Sequence, residues 1–143
     1  MTHARQKLWI RIAAALVGGF APIMLLASIE TGSGPAALAV DVLFGPPMGK
    51  PVWVGAAPRF LSGLMAGFLA GWGVLIWALS GRIHDVEPEA VRTAVLASVV
   101  TWFAVDSTGS VLSGGSFNVL PNLVLLAVIG WPLRRPADTR APA

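Results

Sequence analysis

Polar residues in this chain gather in short clusters, and the apolar runs between them are long enough to cross a membrane. Leu8 to Ile29 is interrupted only by Arg11, and Phe60 to Leu79 carries no formal charge over 20 residues. A helix of about 20 apolar residues spans about 30 Å of hydrocarbon, so the second run predicts a complete crossing. Ala90 to Val105 and Phe117 to Leu133 supply two more; the third is short, and its ends are expected to extend into Glu89 or Asp106. The pattern predicts an all-α, polytopic four-transmembrane-helix bundle forming a single membrane domain. Helices are placed at 8–29, 60–79, 90–106 and 117–133, with an outer loop over 30–58 and a polar tail over 134–143.

Local signals refine this outline. Arg11 lies near the start of its run, where a long side chain can reach the headgroups. The basic start and apolar continuation resemble a signal peptide, but the run is long and Ser28-Ile29-Glu30 offers no A-x-A-like cleavage site. A retained helix is therefore expected, kinked at Pro22, which lacks an amide hydrogen and crowds the preceding turn. Pro121 falls where a helix start tolerates it, and Pro132 marks the end of the fourth span. Trp9, Trp77 and Trp131 lie near predicted interfaces. Within the outer loop, Ala36 to Phe44 is too short to span and contains Asp41. A surface-lying or partly re-entrant helix and a simple covering loop fit it equally well. Pro46, Pro47 and Pro51 deny this connection a continuous helix.

Composition supports a lipid setting. Of 143 residues, 55% are hydrophobic and only 12% charged, too little polar surface to cover a soluble domain of this size. The chain has no cysteine, which excludes disulfides, thiol catalysis and cysteine-ligated metals. The net charge of +3 does not point to nucleic acid, because the basic residues flank apolar segments instead of forming one face. Arg5, Lys7, Arg11, Arg82, Arg92, Arg134, Arg135 and Arg140 fall on one side of a four-span model, against Lys50 and Arg59 on the other. Positive-inside bias then places both termini and the 80–89 connection in the cytoplasm, with 30–58 and 106–116 outside.

Two groups of residues carry candidate function. Gly63, Gly67 and Gly71 recur every four positions, and with Ala66 and Ala70 they predict a shallow face against which another helix packs backbone-close. A second group lies toward the outer side: Arg59 at the start of the second helix, Asp106 at the end of the third, and Asn118 and Asn122 at the start of the fourth. An Arg59–Asp106 pair with the asparagines bonded around it is expected, joined by Ser107, Thr108, Ser110 or Glu30. As a ligand site it would use Arg59 for an anion and Asp106 for a proton or cation.

Catalytic alternatives find less support. The segment His84-Asp85-Val86-Glu87-Pro88-Glu89 has metal-type side chains without a recognised ligand spacing, and reads as a solvated acidic turn capping the next helix. His3 and His84 both lie outside the predicted spans, against haem or chlorophyll ligation. Ser107 has no histidine on its side, and no G-x-x-x-x-G-K-[ST] loop is present. No metal or cofactor is therefore expected.

The four-span plan, the glycine-rich second helix and the stretch Thr101-Trp102-Phe103-Ala104-Val105-Asp106-Ser107-Thr108-Gly109-Ser110 resemble small bacterial membrane proteins of the DUF4345 or BphX-like group. That resemblance covers roughly residues 8–133. It implies a four-helix fold in a bacterial inner membrane and no established reaction. The expected function is a non-enzymatic bundle that organises or stabilises a membrane assembly by helix packing. Its partners would be membrane lipids and another membrane protein or copies of itself. The alternative is a small oligomeric transporter or channel with a polar site near Arg59 and Asp106.

Overall fold

Each apolar run becomes a helix. The structure, a computed structural model, describes residues 1–32, 34–44 and 55–137. Its α-helices are α1 (His3–Gly19), α2 (Ala21–Ala27), α3 (Gly34–Phe44), α4 (Ala56–Leu79), α5 (Arg82–Val86), α6 (Pro88–Leu112) and α7 (Val119–Leu133). Single 3-10 turns cover Glu30–Gly32 and Ser116–Asn118, and no strand occurs among the described residues.

Thr2 starts α1 by accepting the Arg5 amide hydrogen on its hydroxyl oxygen at 3.3 Å, as an N-cap should. The expected kink near Pro22 is a break at Phe20 between α1 and α2. Pro22 then sits in the first turn of α2, where its missing N–H costs no helical bond. α3 forms over the run that was compatible with either helix or loop, and it packs on α2 and on the 116–118 turn. Pro46, Pro47 and Pro51 lie outside the described residues, as does the tail beyond residue 137.

One boundary departs from expectation. The third span runs for 25 residues to Leu112, so Asp106 lies inside α6 and not at its end. The polar stretch after Val105 suggests an end, yet Thr108 satisfies its hydroxyl within the helix by donating to the Ala104 carbonyl at 2.7 Å. The helix stops only where Gly114 adopts a φ of +87°, a conformation that favours glycine.

The helices assemble as two pairs. α1 and α2 pack along α4, α6 packs along α7, and α1 joins the pairs through α7. Ile10, Ala13, Ala14 and Val17 of α1 meet Ile76, Val91, Val95, Val99, Ile129 and Leu133 in one core. On α4 the inward positions are Ser62, Ala66, Leu69, Gly73, Ile76 and Ser80, spaced alternately by four and three residues. That alternation keeps a helix face turned toward its partner, as in a coiled coil. The backbones of α1 and α4 come close at Gly18 and Gly73: a Cβ built on Gly73 would lie 2.8 Å from the Gly18 Cα.

Within the chain, only part of the predicted glycine face is covered. Ala66 is buried and a Cβ on Gly63 would touch Ser28 at 3.6 Å, but Gly67, Ala70 and Gly71 are exposed. A Cβ on Gly67 or Gly71 would meet nothing within 4 Å. A strict four-residue spacing overshoots each helical turn by about 40°, so the series winds away from α1 while the alternating one stays on it.

Around this core the helices expose many large apolar side chains. Phe60, Leu64, Phe68, Val74, Leu75, Val105, Leu120, Val124 and Val128 are all exposed. Exposed patches on this scale suit hydrocarbon and not water. Four helical segments are long and apolar enough to cross a bilayer, which defines a multi-pass membrane protein. Met1 and Pro136 lie at the same end of the bundle, where the Met1 amino group donates to the Pro136 carbonyl at 3.3 Å. Arg11 lies 5.4 Å from the Trp77 ring centre and Arg134 3.2 Å from that of Trp131, pairings that suit a polar boundary.

Candidate functional site

At the end of the bundle remote from Met1 and Pro136, α6 and α7 share a polar network. Asp106 accepts two amide hydrogens on Oδ2, from Asn118 Nδ2 at 2.9 Å and from Asn122 Nδ2 at 2.6 Å. The same asparagine nitrogens reach Ser110 Oγ at 2.8 Å and Ser107 Oγ at 3.2 Å. Asn118 and Asn122 are four apart, which puts both on the face of the fourth span that α6 covers. Asn122 and Ser107 are buried, so each hydrogen bond replaces water that neither group can reach.

Asp106 also lines an open groove of about 640 Å³ between α4 and α6. Met65, Phe68, Leu69 and Trp72 form one wall; Ser98, Thr101, Trp102 and Val105 stand on the other. The Trp72 and Trp102 rings meet at a tilt of 46°, with centres 6.3 Å apart. Among the described residues, no cation lies within ion-pair distance of Asp106; its partners are neutral amides. The arrangement can therefore present a carboxylate to the polar end of something whose body suits an apolar groove. Among these hydrogen-bonded groups none pairs a nucleophile with a base.

Three of the four predicted polar-site residues meet: Asp106, Asn118 and Asn122. Arg59 is bonded elsewhere, donating from Nη1 to Glu30 Oε2 at 3.0 Å and from Nε to the Gly55 carbonyl at 3.1 Å. Similar depth in the bilayer groups the four residues, but depth says nothing about position around the bundle axis. Arg59 stands at the start of α4, beside the 30–32 turn.

The end of the bundle that carries Met1 and Pro136 holds a second polar cluster. His84 is fully buried, with Nε2 2.8 Å from Gln6 Oε1, so the 84–89 segment is not simply a solvated turn. Gln6 Nε2 donates to Glu89 Oε1 at 3.4 Å, and Glu89 also accepts from Arg92 Nε at 2.6 Å and from the Ala137 amide at 3.0 Å. One signal for this cluster was available: Gln6, Ile10, Ala13 and Val17 share the alternating spacing of a buried stripe, so Gln6 lies in line with the core. Comparison with known proteins found no matching family, no matching curated protein and no matching solved structure.

Proposed function

We propose that this chain is a non-enzymatic bundle of the bacterial inner membrane, with both termini in the cytoplasm, that organises a membrane assembly through contacts between transmembrane helices. The observation that carries this reading is the outer face of α4, where Gly67, Ala70 and Gly71 are exposed and the two glycines have open space over their backbones. Small residues let a second backbone approach closely in lipid, where dispersion and packing replace the hydrophobic effect. The partner is a helix of another membrane protein or of a second copy. The concentration of basic residues on the termini side supports the cytoplasmic placement.

The test is association in lipid vesicles at falling protein-to-lipid ratio, read by subunit counting, alongside gentle-detergent copurification from native membranes. Wild-type chains should self-associate or retain a defined partner. Gly67→Leu and Gly71→Leu should abolish that association while leaving thermal unfolding unchanged, because both positions point away from the fold. A chain that is monomeric and partnerless in native-like bilayers would overturn the reading.

One observation favours the alternative of a small oligomeric transporter or channel: Asp106 opens onto the α4/α6 groove without a cationic partner among the described residues. In that reading Asp106 carries a proton or cation, and Arg59, bonded to Glu30, has no direct part. Flux in reconstituted vesicles that Asp106→Asn removes, and Arg59→Gln does not, would support it.

A further inference from the structure

His3 and His84 are 81 positions apart in sequence, yet their imidazole rings lie 4.4 Å apart between centroids. His3 opens α1 and His84 lies in α5, beside Asp85. One ligand-type atom from each of His3, His84 and Asp85 lies within 4.8 Å of the other two. From this geometry we infer that the three side chains form a binding site for a divalent transition-metal ion of the zinc class.

The hydrogen bonding around His84 supports this assignment independently of the cluster. The ring is fully buried, and its Nδ1 has no hydrogen-bond partner. Gln6 turns its amide nitrogen toward Glu89, leaving its carbonyl oxygen 2.8 Å from His84 Nε2. An oxygen there can only accept, so Nε2 carries the hydrogen and the Nδ1 lone pair is left for another group. An imidazolium would bury a second N–H without an acceptor. A metal-binding histidine is commonly fixed in this way, by a hydrogen bond from its other nitrogen to a neighbouring oxygen. Gln6 thus sets the tautomer of His84, and Glu89 sets the orientation of Gln6.

Donor chemistry selects the ion. Two imidazole nitrogens and one carboxylate oxygen suit zinc and its neighbours in the first transition row, whereas calcium and magnesium prefer oxygen alone. Tetrahedral ligands at ordinary zinc distances stand roughly 3.4 Å apart, so the side chains must draw in by an ångström or so. His3 permits this, because its side chain is partly exposed. His3 Nε2 already lies 3.2 Å from Asp85 Oδ1. Lys7 competes for the same carboxylate, with its ammonium 2.7 and 3.0 Å from the two oxygens. A bound ion would displace Lys7 and tie the start of α1 to the connection between α4 and α6. Three protein ligands leave a coordination position for water or a group from a partner.

The test uses the full chain in nanodiscs, purified without a histidine tag and titrated with Co²⁺ followed by Zn²⁺ competition. Wild type should bind one equivalent of Co²⁺ per chain with a visible ligand-field band that Zn²⁺ abolishes. His3→Ala and Asp85→Asn should each weaken binding at least tenfold. These variants are preferred to His84→Ala, which would open the core, and circular dichroism verifies that they remain folded. Lys7→Gln should bind at least as tightly as wild type. Sub-stoichiometric binding in wild type, less than tenfold weakening in the folded His3 and Asp85 variants, or weaker binding by Lys7→Gln would each overturn the assignment.

Discussion

A methyl group has opposite consequences at Gly73 and Gly67, although both glycines lie on α4. At Gly73 it would press on Gly18 backbone atoms at 2.8 and 2.9 Å and on the Ala14 carbonyl at 3.0 Å. None of these is a flexible side-chain end, so relief requires the two helices to part. Gly73→Ala should therefore destabilise the protein by about 1–3 kcal/mol, the usual range for overpacking, despite the better helix propensity of alanine. Gly67→Ala meets nothing within 4 Å and should leave stability unchanged or raise it by up to about 1 kcal/mol. Thermal unfolding of both variants in one detergent checks the contrast. Sequence inspection could not separate the two, because a glycine's role depends on what faces it. The 63/67/71 repeat was conspicuous, whereas Gly18 and Gly73 are a match only once α1 is laid on α4.

Among the elements, the α6–α7 pair best shows which part of the candidate site could be read early. Asn118 and Asn122 were legible as one helix face, and Asp106 as lying near their depth. The network needed α6 to continue past Asp106, so that Ser107 and Ser110 could also turn toward α7. Hydrogen bonds between membrane helices contribute modestly, so Asn122→Ala should destabilise the pair by about 0.5–2 kcal/mol. The variant removes both of the Asn122 bonds at once, and detergent unfolding measures the cost. Arg59 pairs with Glu30 and not with Asp106 for a geometric reason. Its helix start packs beside the turn that carries Glu30, an element whose position around the bundle no local pattern specifies.

At the scale of the whole molecule, the connection between the second and third spans docks onto the amino-terminal helix. Lys7 and His3 hold Asp85, Gln6 holds His84, and Arg11 donates from Nε to Ser80 Oγ at 3.3 Å. Such docking requires the amino terminus and residues 80–89 to share one side of the membrane. Because the chain lacks cysteine, single substitutions can report sidedness with an impermeant maleimide. Thr2→Cys and Glu87→Cys should react from the same side, and Ser113→Cys from the opposite one. Opposite labelling of the first two would contradict the arrangement.

Four crossings, their approximate limits and the all-helical class follow from the sequence alone, because a bilayer demands long apolar runs whose backbone groups are satisfied within each helix. Neighbouring residues encode that property, so a linear reading recovers it. Which face of each helix meets another, whether a glycine is covered, and whether Arg59 finds Glu30 or Asp106 all depend on rotation about helix axes and on the order of helices around the bundle. Those quantities are decided by side-chain packing between segments far apart in the chain, and the tertiary structure alone brings His3 against His84.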